Sequence, residues 1–183
     1  MPFDFKNASR DELKAQYQRI ARETGDDQFF TKKELNHLPS VLADGEQVLS
    51  FSSGVMDGST WLIVLTDRRV IFLDKGLIYG LKQASIDLDK INAVSGKTGL
   101  LLGSIIIEDG ASSRAITNVQ KRTVAAFTNK LRDAMENRKA ARHQSVAPAL
   151  HDLAGQLEKL DQLRQRGLLT DDEFAVQKAK LLA

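Results

Sequence analysis

The chain has 183 residues and a formal net charge of +2 at pH 7, and 42% of its residues are hydrophobic, which is enough for a packed core. It contains no cysteine, so a disulfide framework, a thiolate metal site and a cysteine nucleophile are excluded. The N-terminus lacks an apolar stretch of signal-peptide length, so we expect a cytoplasmic protein. The apolar stretches WLIVL and LLLGSIII are too short to span a bilayer and are typical of buried strands.

Two helices are predicted in the N-terminal segment, residues 1–43. Each begins with the spacing of a capping box, in which a hydroxyl residue and a glutamate three positions later bond each other's backbone amides. The two pairs are Ser9 with Glu12 and Thr31 with Glu34. The first helix covers about residues 9–24, and the second covers about residues 31–43, where Pro39 interrupts or bends it.

From about residue 46 the apolar residues fall into short stretches separated by turn residues. These stretches predict seven strands that end near residue 119. The first two strands meet at a turn over residues 56–59, and the next pair meets at Asp67-Arg68, a dipeptide that hairpins do not favour. Strands with such short connections are typical of a small antiparallel sandwich or barrel.

A helix predicted over residues 120–139 follows the strands, and residues 140–149, which include Pro148, are predicted to be a linker. The apolar face of this helix consists of Val124, Phe127, Leu131, Ala134 and Met135. Residues 120–149 carry seven basic and two acidic residues, a local charge of +5. The positive charge of the chain is therefore concentrated in one segment.

The seven cations of this segment are candidate contacts to a weakly bound anionic surface such as a membrane. They are Lys121, Arg122, Lys130, Arg132, Arg138, Lys139 and Arg142. The alternative is a solvated helix face followed by a flexible linker. Salt-sensitive attraction is the most that this composition predicts. No specific nucleic-acid binding is expected, because no aromatic residue for base stacking follows Phe127 in this segment, and Phe127 is on the apolar face.

Four stretches resemble the bacterial pleckstrin-homology-like (PH-like) family: LADGEQVL, WLIVLTDRRVIFLD, IDLDKINAV and IIIEDG. The resemblance implies an α+β domain over residues 44–139, a seven-stranded antiparallel β-barrel or sandwich capped by a C-terminal helix. Bacterial members of this kind tend to assemble into rings, so the resemblance also implies a homo-oligomer. Lipid-binding relatives place cations in the first hairpin, but residues 55–59 contain none, so no phosphoinositide binding is expected.

The tail LEKLDQLRQRGLLTDDEFAVQKAKLL resembles the SHOCT (short C-terminal domain) family, which implies a helical hairpin over residues 150–183 that acts in oligomerisation or partner binding. Gly167 separates the two helices, and Thr170 with Glu173 forms another capping box. A segment this short cannot bury enough apolar surface alone, since domains below about 40 residues need disulfides, metals or oligomerisation. The candidate association surface is Leu153, Leu157, Leu160, Leu163, Phe174 and Leu181. The alternative is that the hairpin packs on its own chain.

The patterns give no sign of catalysis, of a bound metal or of a cofactor. The sequence SGKTG lacks the earlier glycine of a phosphate-binding loop and is predicted to be a turn. The three histidines, His37, His143 and His151, lack ligand spacing. We therefore predict a non-enzymatic adaptor or scaffold that binds a protein partner or itself. The alternatives are a peripheral membrane-surface protein, a subunit of an enzyme complex and a prophage or stress-related factor.

Overall fold

The computed structural model describes residues 2–26, 31–76, 80–110 and 112–182, and the side chains of residues 143–154 lie outside this description. The chain divides into two compact units, Met1–Arg138 and Lys139–Ala183. The elements are α1 (Arg10–Thr24), α2 (Lys32–His37), β1 (Val48–Met56), β2 (Ser59–Thr66), β3 (Arg69–Lys75), β4 (Leu81–Asp87), β5 (Ile91–Thr98), β6 (Leu102–Asp109), β7 (Ser113–Gln120), α3 (Lys121–Gln165) and α4 (Asp171–Leu182). Short 3₁₀ turns follow α2 and β4.

Within the described residues, seven antiparallel strands form a sheet in the order β4-β3-β2-β1-β7-β6-β5. This confirms the predicted strand number and direction. The sheet does not close on itself, because β4 and β5 form its two edges. Strands β1 and β7 join the two halves where Val55 lies opposite Thr117, and a side chain at Gly54 would collide with Ile116.

The β1–β2 connection is the predicted hairpin turn. Asp57 and Gly58 have φ angles of 52° and 75°, and Met56 pairs with Ser59 across the turn. Positive φ at both central positions is the type I′ geometry, which matches the twist of the strands. The hairpin tip carries no cation, as the sequence indicates.

The β2–β3 turn at Asp67-Arg68 is held by a buried carboxylate. Glu46 accepts hydrogen bonds from Arg69 Nε at 2.9 Å and Nη2 at 2.8 Å, and from Thr66 Oγ1 at 2.8 Å. Thr66 Oγ1 also accepts from the amides of Arg68 and Arg69. Burial favours a higher pKa for Glu46, but the bonds from Arg69, the Ala43 amide and Thr66 outweigh it and lower the pKa. This network explains how an unfavoured dipeptide makes a tight turn.

Two apolar clusters lie on opposite faces of β1–β3. One cluster lies between the sheet and the first part of α3, and it includes Ile63, Leu65 and Phe72 together with all five predicted apolar residues of the helix face. The other cluster joins the outer face to the N-terminal helices. Its members are Phe5, Tyr17, Ile20, Leu35, Leu38, Leu42, Val48, Phe51, Leu62, Val64, Ile71 and Leu73.

Strand β2 is apolar along a continuous run because both faces of the sheet are covered there. Successive side chains of a strand point to opposite faces, so Leu62 and Val64 enter the outer cluster while Ile63 and Leu65 enter the inner one. The N-terminal helices therefore complete the first unit, a role that the sequence left open.

The predicted interruption of α2 at Pro39 is confirmed, whereas the predicted capping box at Thr31 is wrong. The α-helix ends at His37 and continues as a 3₁₀ turn over Leu38–Ser40, where the ring of Pro39 removes a backbone donor. Thr31 makes no capping bond, because its hydroxyl lies 2.8 Å from that of Ser53. Glu34 instead accepts from the amide of Lys75 at 2.9 Å. Both side chains of the predicted capping box are therefore engaged in tertiary contacts instead.

Three further expectations differ from the structure. Residues 140–149, predicted to be a linker, are helical, because α3 continues through them to Gln165. Four of these ten residues are alanine, the residue with the highest helix propensity. The sequence SGKT belongs to strand β5, with the turn at residues 99–101. The first leucines of LLLGSIII are exposed at that turn rather than buried.

Candidate functional site

The C-terminal hairpin of α3 and α4 turns at Gly167, as predicted. This glycine has a φ of 69°, its amide donates to Arg164 O at 2.9 Å, and the amide of Leu168 donates to Leu163 O at 3.0 Å. Together these two bonds form a Schellman motif, in which a left-handed residue satisfies the last carbonyls of a helix. A glycine tolerates this conformation because it has no Cβ.

One arginine fastens the two helices of this hairpin. The guanidinium of Arg164 lies 4.8 Å from the ring centre of Phe174, and it pairs with Asp161 at 2.8 Å and with Asp171 at 3.4 Å. A cation over a ring face and two carboxylates at hydrogen-bonding range favour one arrangement of the turn. These groups are partly exposed, so each contributes modestly.

The start of α4 is the predicted capping box. The Glu173 carboxylate accepts from the amide and the hydroxyl of Thr170 at 2.9 and 2.8 Å, and the amide of Glu173 donates to Thr170 Oγ1 at 3.3 Å. These bonds lower the pKa of Glu173, because they favour its charged form. The turn at Gly167 and the start of α4 are thus both formed by local contacts.

Those predicted association residues whose side chains the structure describes are neither buried nor fully exposed. Five of them are half-buried, namely Leu157, Leu160, Leu163, Phe174 and Leu181. Leu153 lies among the residues whose side chains are outside the described part. In α4, whose residues are all described, no residue is buried. Leu168, Val176 and Leu182 are more than half exposed, and the predicted surface omitted all three.

The seven predicted cations lie in different surroundings. Three of them bind within the first unit. Lys130 contacts Glu23 at 2.8 Å, Arg132 donates to Val94 O at 3.2 Å, and Arg138 contacts Asp89 at 3.4 Å. The remaining four are exposed: Lys121 and Arg122 lie in the first unit, and Lys139 and Arg142 lie in the second.

The described residues contain no group of three or more histidine, cysteine, aspartate or glutamate residues placed to hold a metal ion. None of the helices in this part of the chain combines the length and hydropathy needed to cross a bilayer.

Models of two known protein families match two separate segments of the chain. The family model described as "Bacterial PH domain" matches residues 42–133, and that described as "Short C-terminal domain" matches residues 156–182. No curated protein matches the chain.

Similar solved structures include two from Shewanella species. A pleckstrin homology domain from Shewanella amazonensis SB2B has 19% identity and a TM-score of 0.42, and the match covers 57% of this chain and 96% of that one. A DUF1696 family protein with a pleckstrin-homology domain from Shewanella loihica PV-4 has 15% identity and a TM-score of 0.42, and the match covers 56% of this chain and 94% of that one.

Proposed function

Since the chain belongs to the bacterial PH domain family and ends in a segment that matches the short C-terminal domain, we propose that it is a non-enzymatic adaptor or scaffold. In this proposal it associates with copies of itself through the C-terminal hairpin. Neither matched family is an enzyme domain. The observation that carries the proposal is the absence of any buried residue in α4, all of which is described.

An amphipathic helix in water is stabilised mainly by packing its apolar face against another element. The apolar side chains of the hairpin are half-buried at best, although the turn, the cap and the Arg164–Phe174 contact are all formed. Covering them would remove further apolar area from water at about 25 cal/mol per Å². The hairpin therefore gains stability from a partner surface.

The charge of the tail suits association between identical copies. Residues 150–183 carry five basic and six acidic residues, a net charge of −1. Nearly balanced charge gives little repulsion between two copies and permits salt bridges across a two-fold axis. A strongly charged tail would favour a partner of opposite charge instead.

The first unit supplies the second element of a scaffold. Its edge strands β4 and β5 are mostly exposed along their length. An exposed edge has unpaired amides and carbonyls that can pair with a strand from another chain. A self-associating tail on such a domain would present several copies of these edges together.

The test measures the mass of the full chain in solution by light scattering. Phe174→Ser with Leu181→Ser removes two half-buried apolar side chains from one side of α4, and we expect the mass to fall to that of one chain. Val176→Ser is the matched control, because Val176 lies about 200° round the helix from Phe174 and is exposed. The control should keep the assembled mass.

Removal of residues 150–183 should have the same effect as the double variant. Both apolar clusters lie before residue 139, so the shortened chain keeps them. Far-ultraviolet circular dichroism would check that the double variant retains the helical content of the full chain. A wild-type chain that is monomeric at high concentration, or a double variant with unchanged mass, would refute association through this hairpin.

A further inference from the structure

The β5–β6 hairpin ends in three consecutive exposed leucines. Leu100, Leu101 and Leu102 are 89%, 79% and 48% exposed, and the amide of Gly99 donates to Leu102 O at 2.8 Å to close the turn. Isolated exposed leucines are common on protein surfaces, but a contiguous apolar tip marks an interaction site. We define Leu100–Leu102 as the leucine tip.

Cations lie beside the leucine tip on both faces of the hairpin. On one face, Leu101 lines a groove together with Lys121 and Arg122 at the start of α3. A side chain at Gly96 would contact Val124 of α3, so Gly96 faces that helix and its neighbour Lys97 faces the other side of the sheet. The tip therefore has positive charge on both sides.

The tip of the β5–β6 hairpin and the start of α3 contain no acidic residue. No aspartate or glutamate occurs in residues 90–107 or 110–132. The first turn of α3 contains no acid, and the positive end of the helix dipole lies there with two cations. Arg122 lies against Gly25, and the neighbouring Asp26 is buried and accepts from the amide of Ser53 at 2.6 Å. The hairpin tip and the start of α3 thus carry cations and no acidic residue.

We infer that the leucine tip inserts into the surface of an anionic phospholipid bilayer, where Lys97, Lys121 and Arg122 contact the headgroups. An apolar element with flanking cations is the arrangement that interfacial binding requires, since acyl chains take the leucines and anionic lipids attract the cations. A protein partner fits less well. Interfaces between proteins use about 20–30 residues a side, whereas this feature is a three-residue projection.

This site is independent of the association proposed for the C-terminal hairpin. It also differs from a general basic segment over residues 120–149, because it excludes Lys130, Arg132 and Arg138, which bind within the first unit. The first hairpin, at Asp57-Gly58, takes no part, so the site does not require an inositol phosphate.

The first experiment measures co-sedimentation of the full chain with vesicles of equal parts phosphatidylglycerol and phosphatidylcholine. We expect binding that disappears with pure phosphatidylcholine. Leu100→Ser with Leu101→Ser should reduce the partition coefficient at least about tenfold, given the transfer free energy of two leucines. Leu168→Ser is the control, because it removes an exposed leucine from the other unit.

Charge is tested separately by Lys97→Gln and Lys121→Gln. Each should weaken partitioning about fivefold, the equivalent of about 1 kcal/mol per cation near an anionic surface. Lys139→Gln removes an exposed cation from the second unit and serves as the matched control. Raising the salt from about 0.1 M to about 1 M shortens the Debye length from about 10 Å to about 3 Å and should weaken wild-type binding.

Insertion is distinguished from surface adsorption by fluorescence. The chain has a single tryptophan, Trp61, which is 7% exposed in the core and gives a constant background. The variant Leu101→Trp should show a blue shift when anionic vesicles are added. Absence of wild-type binding at low salt, equal binding by the leucine variants, or no blue shift would overturn the inference. A fall in solution mass for the leucine-tip variants would show that the tip contacts protein instead.

Discussion

The two units of this chain use the same local signals and differ in what they bury. In the first unit, a capping box at Ser9 starts a helix whose apolar face enters a cluster around Phe51. In the second unit, an equally complete box at Thr170 starts α4, which buries nothing in the structure. Helix ends are therefore specified by neighbouring residues, whereas stability depends on the surface that covers the helix.

The largest expected effect comes from making the same substitution in each unit. Phe51→Ala removes a fully buried ring and should lower the free energy of unfolding by about 3–5 kcal/mol. Phe174→Ala removes a half-buried ring and should leave the unfolding transition of the first unit unchanged. Urea titration followed by the fluorescence of Trp61 reports on that unit alone, because the chain has no other tryptophan.

A large loss of first-unit stability for Phe51→Ala and none for Phe174→Ala would support this difference between the two units. An equal drop in the urea midpoint for Phe174→Ala would contradict it, because the hairpin would then be stabilising the first unit. The slope of the transition should be the same in wild type and Phe174→Ala, since the first unit exposes the same area on unfolding.

A smaller loss in the free energy of unfolding is expected from replacing Glu46, the buried carboxylate of the first unit. The folded pKa of Glu46 lies below its ordinary value of 4.5, so its stabilising contribution is present above that value and is lost as the pH falls through the folded pKa. Glu46→Gln should lower the free energy of unfolding at neutral pH by about 2 kcal/mol, because Arg69 loses its partner.

The pH dependence separates this contribution from a general effect of the substitution. In acid, wild type and Glu46→Gln should converge in stability as Glu46 becomes protonated. Glu108→Gln is the control, since it removes an exposed carboxylate and should leave the stability at neutral pH unchanged. A constant difference between wild type and Glu46→Gln from neutral pH into acid would argue against the proposed role of the ion pair.

The smallest effects concern the two caps. Ser9→Ala and Thr170→Ala each remove a bond to a free amide, which costs about 1 kcal/mol of helix stability. Ser9→Ala should shift the Trp61 transition, because α1 packs in the first unit. Thr170→Ala should change only the far-ultraviolet circular dichroism, through fraying of α4. A shift of the Trp61 transition by both substitutions would remove the distinction between the units.

Local patterns predicted much of the fold. The capping boxes at Ser9 and Thr170, the seven strands and the turn at Gly167 follow from short-range chemistry, and the structure confirms them. The box at Thr31 fails because Ser53 and Lys75, distant in sequence, take its two side chains. Such competition is decided by tertiary contacts, which spacing does not reveal.

The interaction features were harder to predict than the fold. The run at Leu100–Leu102 suggests a buried strand, but the strand begins only at its last residue and leaves the tip in solvent. Periodicity cannot tell an exposed apolar turn from a buried one. The count of cations in residues 121–142 likewise gave no sign that Lys130, Arg132 and Arg138 bind within the first unit.

The helices that cover β1–β3 have a practical consequence for how the domain is delimited. The matched PH segment begins at residue 42, after both of these helices. Expression of that segment alone would leave a flat apolar sheet face in water, formed by Phe51, Leu62, Val64, Ile71 and Leu73. Large exposed patches of this kind drive aggregation. The smallest fragment expected to remain dispersed therefore begins before Phe5, although the family boundary lies some forty residues later.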